Sequence, residues 1–599
     1  MFIKQTIFKH CHTFSKFCTG YLQKLKFLFS LIFLYTSRKY MVKKFFKLFS
    51  SEITGLHEAA FLLGIFALVS QFLGLFRDRI LASSFGAGLQ LDLYYSSFRI
   101  PDFIFVTVAS IVSVFVLIPF ISERMDKGEL EVRKFIGSIF TFFSILMVGI
   151  SIIAFFLIPV LTPIIFKGMK DSPNLPDLIN MTRILLLSPI FLGLSNFFAN
   201  ITQVSRKFLI YALCPIFYNV GIILGIVVFY PIFGLYGLSF GVILGSVLHF
   251  AIQIPSVIKS GLLSFKEIKM NFSEIYDVVK ISIPRTLALS MSQISIMVLL
   301  GFASLMKEGS IAIFNFAYNL EAVPMSIIGV SYATVAFPTL SNLFVKGKKT
   351  EFMESLASGA KHIIFWSIPI SVLFIVLRAQ IVRVIYGAGE FDWTSTRLTA
   401  AMLAIFIVSA VAQSLSLLLI RGFYASGETK KVVISNIVSM LSTIFFTFIF
   451  LKFFESNQMF KDFVESILRV DGIAGTEVLM LALGFTLSSL LNCIVLWFIF
   501  NKENKGFSNS LLNTLFQSFC ASIIMGAVTY FSLNIFDNIF SLDTFWGVFL
   551  QGMLSGLVGI IVCVIILWLL KSNELSDVFK TLHKRFWTVK TVAPDTIEI

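Results

Sequence analysis

The chain has 599 residues, of which 57% are hydrophobic and only 14% charged, with a mean hydropathy of +0.90. Soluble domains carry about 25% charged residues, so the composition excludes a soluble globular protein and predicts a polytopic membrane protein. The formal net charge of +15 does not point to nucleic acid, because Lys and Arg sit in short loops between apolar runs and in the tails, the positive-inside pattern. Cys11, Cys18, Cys214, Cys493, Cys520 and Cys563 are scattered, with no C-x-x-C and no paired His at ligand spacing, so they signal neither a zinc site nor a disulfide framework.

Residues 1–50 are basic, and their one apolar run, Phe27 to Tyr35, is too short to cross a bilayer, which takes about 20 residues. No small-residue cleavage site follows it. The segment reads as a cytoplasmic extension and not as a secretory signal, and Met41 would also serve as a start.

Fourteen apolar segments follow, at 56–76, 91–121, 135–166, 179–203, 208–230, 234–258, 276–305, 309–341, 358–386, 394–424, 430–453, 474–500, 510–537 and 544–570. They predict an all-α polytopic membrane protein of about 14 transmembrane helices. Loops after even-numbered segments are basic or mixed (Arg124 to Lys134, Arg206-Lys207, Lys346 to Lys349, Lys430-Lys431), whereas Tyr230 to Gly234, Glu390 to Asp392 and Asp537 to Asp543 are neutral or acidic. Both termini are therefore expected on the cytoplasmic side.

The turn after the first segment breaks that pattern. Arg77-Asp78-Arg79 closes the first segment, a Gly86-Ala87-Gly88 turn follows, and the second segment carries Asp92 and Arg99 before Pro101. Ions at membrane depth cost about 2.5 to 3.5 kcal/mol each on insertion scales and mark functional cavities. An arginine at a helix end can instead anchor by reaching to the headgroups, but Arg77 and Arg79 lie on the side the charge rule disfavours.

An internal repeat places that motif. Gln71 and Gln293 are 222 residues apart, Pro101 and Pro324 are 223 apart, and between the members of each pair a helix, a glycine-containing turn and a second helix recur. Six segments per copy is an even number, so the copies share an orientation. The expected domains are an N-lobe at 51–258, a linker at 259–275, a C-lobe at 276–500, two further helices at 501–570 and a basic cytoplasmic tail at 571–599. Transporters built this way hold their substrate between the lobes near the midplane.

The run GLFRDRILASSFGAG, with Asp92 and Phe98-Arg99-Ile100-Pro101, resembles the opening of the MurJ/MviN lipid II flippases of the MOP superfamily. So do Pro215 with Tyr218-Asn219, Gln253-Ile254-Pro255, Pro284-Arg285-Thr286-Leu287, Phe337-Pro338-Thr339-Leu340-Ser341, Tyr386-Gly387-Ala388-Gly389-Glu390-Phe391 and Arg421-Gly422-Phe423-Tyr424-Ala425, in the right order over roughly residues 51 to 510. The resemblance implies an inner-membrane protein of two lobes around a cationic cavity that moves undecaprenyl-pyrophosphate-linked disaccharide-pentapeptide outward for peptidoglycan synthesis, its last two helices forming a groove for the lipid tail. It departs from the family at three cavity arginines, where this chain has Gln71, Phe105 and Asn319, and at an acidic position, where it has Ser110.

Arg77 is the first candidate for the headgroup phosphate, since a guanidinium pairs bidentately with phosphate, and Asp78 or Asp92 is the carboxylate that neutralises it in the empty cavity. Arg99 is a second phosphate ligand or an anchor, and Arg285 a ligand or a positive-inside anchor. Asn319 and Glu321 line the cavity or make helix–helix hydrogen bonds. No H-E-x-x-H, G-x-S-x-G or phosphate-loop pattern occurs, so no enzyme chemistry and no cofactor are expected, and transport draws on a coupling ion or the membrane potential. The expected partners are the lipid-linked precursor and membrane lipids, for a monomer working beside cell-wall synthesis proteins. The alternatives are a flippase for another polyprenyl-linked glycan, a MATE-type cation-coupled antiporter and a membrane scaffold.

Overall fold

Backbone groups inside a bilayer must be satisfied within the protein, which leaves helices or a closed barrel. The computed structural model describes residues 56–263, 270–503 and 507–586, and among these it contains helices and no strand. The basic extension 1–50, with Met41, lies outside the described residues, as do the centre of the 259–275 linker and the end of the tail.

Helix α1 (Leu56–Phe85) ends at Gly86, whose φ of +62° suits a residue without a Cβ. The second segment was expected as one span, but it is broken into α2 (Leu89–Ser97), α3 (Arg99–Ala109) and α4 (Val114–Met125). At the break the Ser110 hydroxyl turns back to the Thr107 carbonyl at 2.7 Å, a local bond that competes with the helical ladder. There follow α5 (Glu129–Ile165), then α6 (Leu175–Leu185) and α7 (Leu187–Val204) as one crossing. Helix α8 (Phe208–Leu224) runs through a π turn at Gly225–Phe229 into α9 (Tyr230–Phe233), and α10 (Leu235–Ala251) bends into α11 (Ile254–Ser260).

The second half repeats the style. After α12 (Phe272–Ala303), α13 (Ser310–Met325) passes Pro324 and a π turn at Ser326–Val330 into α14 (Ser331–Val345). Then come α15 (Lys349–Val376), the separate short α16 (Arg378–Tyr386), α17 (Trp393–Ala425) and α18 (Thr429–Ser456). A surface helix that hydropathy did not reveal, α19 (Gln458–Leu468), precedes α20 (Leu479–Glu503), α21 (Phe507–Asp537), α22 (Phe545–Leu569) and α23 (Asn573–Phe586).

Twelve helices are long and apolar enough to cross a membrane, from Glu129–Ile165 to Phe545–Leu569. They correspond to the third through fourteenth expected segments. The first two segments are helical as well: α1 carries an uncharged apolar run, residues 59–76, ahead of Arg77-Asp78-Arg79, and the second is broken into α2, α3 and α4, each too short to span alone. Their Arg77, Asp78, Asp92 and Arg99 lie where the two halves of the chain meet.

Packing follows from small residues where backbones touch. Helices α8 and α10 cross at Gly221, Gly225, Gly241 and Gly245, where a Cβ on Gly221 would come within 2.2 Å of the Gly245 Cα. Helix α1 lies on α8, while α17 is the central post of the second half, touching α13, α15 and α20. Phe72, Phe156, Phe498 and Phe531 stand exposed on outer helix faces, the lipid-facing role that best accounts for 70 Phe.

Loops following odd crossings gather at one end. There Gly309 abuts the Ala87 carbonyl so closely that a Cβ would sit 2.2 Å from its oxygen, and the Glu390 amide donates to the Ser83 carbonyl at 3.0 Å. This is the neutral end, and the opposite one, carrying Arg124 to Lys134 and Lys346 to Lys349, is the basic end.

Candidate functional site

The last turns of α1 deliver Arg77 and Asp78 to the line where α1–α11 meet α12–α20. Arg77 donates through Nε to Asp78 Oδ1 at 2.8 Å and through a terminal nitrogen to Asn219 Oδ1 of α8 at 3.0 Å. The ion pair closes at 2.7 Å, with the Arg77 side chain 22% exposed and that of Asp78 3%. Asn219 is itself oriented by donating to the Pro215 carbonyl at 3.0 Å. The other Asp78 oxygen accepts from Asn319 of α13 at 3.0 Å, so one carboxylate spans the two halves of the chain.

Of the two carboxylates proposed to neutralise Arg77, Asp78 does so and Asp92 does not. Asp92 is buried and accepts the Gly309 amide at 2.6 Å and the Ala312 amide at 2.8 Å. It caps the N-terminus of α13 from α2, where unpaired N–H groups and the helix dipole both favour an anion. Arg99 donates to Asn315 Oδ1 of α13 at 2.6 Å and to the Tyr95 carbonyl at 3.2 Å. Asp78, Asp92 and Arg99 therefore all reach across to α13. Arg79 instead donates to the Val384 and Ile385 carbonyls of α16 and stacks over Phe545, pinning the neutral end.

Nearer the basic end the same halves are joined by hydroxyls. Thr107 and Ser290 lie 3.0 Å apart, Ser110 and Thr286 2.6 Å, and Ser282 donates to the Ile111 carbonyl at 2.9 Å. Beyond them Arg124 and Glu274 pair at 3.3 Å. The interface is thus joined at both ends.

Glu321 and Arg285 do not join the Arg77 cluster. Glu321 is buried within the second half and accepts from Gln413 of α17 at 2.9 Å, which is the helix–helix hydrogen bond. Arg285 on α12 lies toward the basic end, within electrostatic reach of Arg421 and Tyr424. Gln71 is half-buried on α1, and Phe105 packs against a buried apolar cluster that includes Ile104, Val108 and Phe197. Sequence reasoning did not single out Asn219, Asn315 or Gln413 as site residues, and their signal was an amide at membrane depth, which has to find a partner there.

The residues of this interface lie within a stretch, 81–550, that matches the family model for "Lipid II flippase MurJ", or just before it in the same helix α1. The chain belongs to the lipid II flippase MurJ family. It is 28% identical over 381 residues to "Probable lipid II flippase MurJ" of Buchnera aphidicola subsp. Acyrthosiphon pisum, covering 63% of this chain and 75% of that one. It is 24% identical over 376 residues to "Lipid II flippase MurJ" of Burkholderia cenocepacia, covering 61% and 73%. In fold it is similar to a solved lipid II flippase MurJ in an inward closed conformation, with TM-score 0.67, 24% identity, and 87% of this chain and all of that one covered. A MATE family transporter of the MOP superfamily, inward-facing, shares the fold at TM-score 0.61 and 13% identity over 73% and 96% of the two chains.

Proposed function

We propose that this chain is a lipid II flippase, carrying the undecaprenyl-pyrophosphate-linked peptidoglycan precursor from the cytoplasmic to the outer leaflet by alternating access between an N-lobe of spans 1–6 and a C-lobe of spans 7–12. The observation that carries the reading is the Arg77 guanidinium, partly exposed where the two halves meet and held by a carboxylate that also bonds the opposite half. Family membership over residues 81–550 supports the cargo.

The geometry supports a coupling step. A diphosphate that takes the bidentate face of Arg77 competes with Asp78 for the same N–H groups. Releasing Asp78 leaves a nearly buried carboxylate free to shift, and with it the bond to Asn319 that links α1 to α13. Headgroup binding thereby weakens the junction at the neutral end, and release of the headgroup restores it. Arg99 is the second cation in reach of that junction, whereas Arg285 belongs to the mouth at the basic end and Glu321 to the framework of α13 and α17.

In this reading the protein resides in the bacterial inner membrane as a monomer, with both termini cytoplasmic, beside proteins of cell-wall synthesis. It binds no nucleic acid and needs no nucleotide or other cofactor. One charge crossing 100 mV is worth about 2.3 kcal/mol, which biases an inward–outward equilibrium roughly fiftyfold, so a coupling ion or the membrane potential suffices as the drive.

The test is growth rescue of bacteria depleted of their own lipid II flippase, with membrane insertion verified by surface labelling. Rescue that is lost on Arg77→Ala is the expected result. A correctly inserted chain that fails to rescue overturns lipid II as cargo.

A further inference from the structure

The neutral end carries more positive charge than the loops promise. Arg378 at the start of α16, Arg397 in the first turns of α17 and Arg469 just beyond α19 converge on one cavity of about 610 Å³, shared with Tyr530, Asn534 and Asp537 of α21 and Gln551 of α22. Arg378 donates to the Ile375 and Leu468 carbonyls at 3.2 and 3.4 Å, Arg397 to the Arg469 carbonyl at 3.0 Å through Nε, and Arg469 to the Tyr530 hydroxyl at 3.0 Å. None of the three pairs with a carboxylate among the described residues. Each guanidinium has five N–H groups, and carbonyls and a phenol take only part of them. Some of these bonds close the C-terminal end of α19, a structural duty. That duty does not account for three cations around one open cavity with a single carboxylate, Asp537, in its wall.

The depth of the cavity follows from α19. Met459, Phe463 and Ile467 form an exposed apolar stripe at a spacing of four, while Lys461 and Asp462 lie between them. A helix of that pattern lies in the membrane interface with its apolar face toward the acyl boundary. Arg469, directly after it, then stands at the level of lipid phosphates. The cavity also has an apolar wall, Ile375, Val376, Ile467, Leu533 and Leu542.

We infer that this cavity, between the second helix group and the last two helices, is a binding site for a phosphate-bearing anion, separate from the Arg77 interface. Guanidinium forks recognise phosphate bidentately, Tyr530 and Asn534 add neutral donors, and the apolar wall takes the first methylenes of an acyl or prenyl chain.

The experiment is native mass spectrometry of the purified full chain with phosphatidylglycerol, with phosphatidylcholine, and with inorganic phosphate as competitor. Asn534→Asp is the principal variant, because it adds a carboxylate to the cavity without touching the bonds that close α19, and Arg469→Gln is the second. Phosphatidylglycerol adducts that exceed those of phosphatidylcholine and fall at least tenfold in both variants, at unchanged melting temperature, support a lipid headgroup as ligand. The same loss accompanied by displacement with millimolar phosphate supports a free phosphate. Adducts that do not discriminate between the two lipids, or that survive Asn534→Asp in a folded protein, overturn the site.

Discussion

Asn319 donates to Asp78 at 3.0 Å, from a position where the family resemblance implies an arginine. An amide therefore does, without charge, the bridging that a guanidinium would do with it. Among the described residues Asp78 has one full cation, Arg77, on its other oxygen, so this pair carries no net charge.

Arg77→Ala removes the one cation paired with Asp78 among the described residues and leaves a nearly buried carboxylate without its countercharge, which costs up to about 3 to 5 kcal/mol. A large fall in melting temperature is expected, together with loss of transport. Arg77→Ala combined with Asp78→Ala restores much of the stability but not the transport, which separates folding from function. Arg77→Lys keeps the charge without the planar fork, and partial transport is its expected phenotype in a liposome assay. Normal transport by Arg77→Ala would remove Arg77 from the headgroup site.

Returning arginine to the departed positions distinguishes them by their surroundings. Asn319→Arg meets Asp78 already in place, so it folds, and an added charged hydrogen bond worth about 1.5 to 3 kcal/mol raises lipid II affinity more than tenfold in native mass spectrometry. Gln71→Arg, half-buried and already polar on α1, is expected to fold as well. Phe105→Arg enters an apolar cluster and is expected to lower the yield of folded protein. A stable Asn319→Arg chain with weaker lipid II binding would count against the cargo.

Closure at the neutral end depends on Asp92 and Gly309. Asp92→Ala leaves the start of α13 uncapped, which costs about 0.5 to 2 kcal/mol. Gly309→Ala places a methyl 2.2 Å from the Ala87 oxygen at a φ of +91°, a conformation side chains rarely adopt. Both substitutions are expected to open the neutral end, read as faster labelling of a cysteine at Asn315 by a membrane-impermeant reagent from the outer side. Unchanged labelling would show that these contacts do not gate the interface.

The α8–α10 crossing is a matter of volume alone. A Cβ on Gly245 would lie 2.5 Å from the Tyr218 oxygen, so Gly245→Leu forces the helices apart. Overpacking typically costs about 1 to 3 kcal/mol, and the rigid backbone contact here puts the substitution at the upper end or beyond, seen as aggregation in size-exclusion chromatography. Because Asn219 rides on α8, the milder Gly245→Ala also loosens Arg77, and transport should fall before the melting temperature does.

Much of this protein is determined by the sequence alone. The bilayer admits only a few backbone solutions, so apolar runs of spanning length placed twelve crossings close to where they stand, and Arg77-Asp78-Arg79 stood out because charge at membrane depth is costly wherever it occurs. Hydropathy is an average over a window, however, and it cannot report a partner. Tertiary structure alone decided that Asp92 caps α13, whose amides come from 217 residues further along the chain, and so leaves Arg77 to its neighbour Asp78. It decided that Glu321 is framework and that the second segment breaks at Ser110, where a hydroxyl finds Thr286 across the interface. It also gathered Arg378, Arg397 and Arg469, each unremarkable in its own stretch of sequence, around a single cavity, because a charge cluster assembled from three distant segments has no signature along the chain.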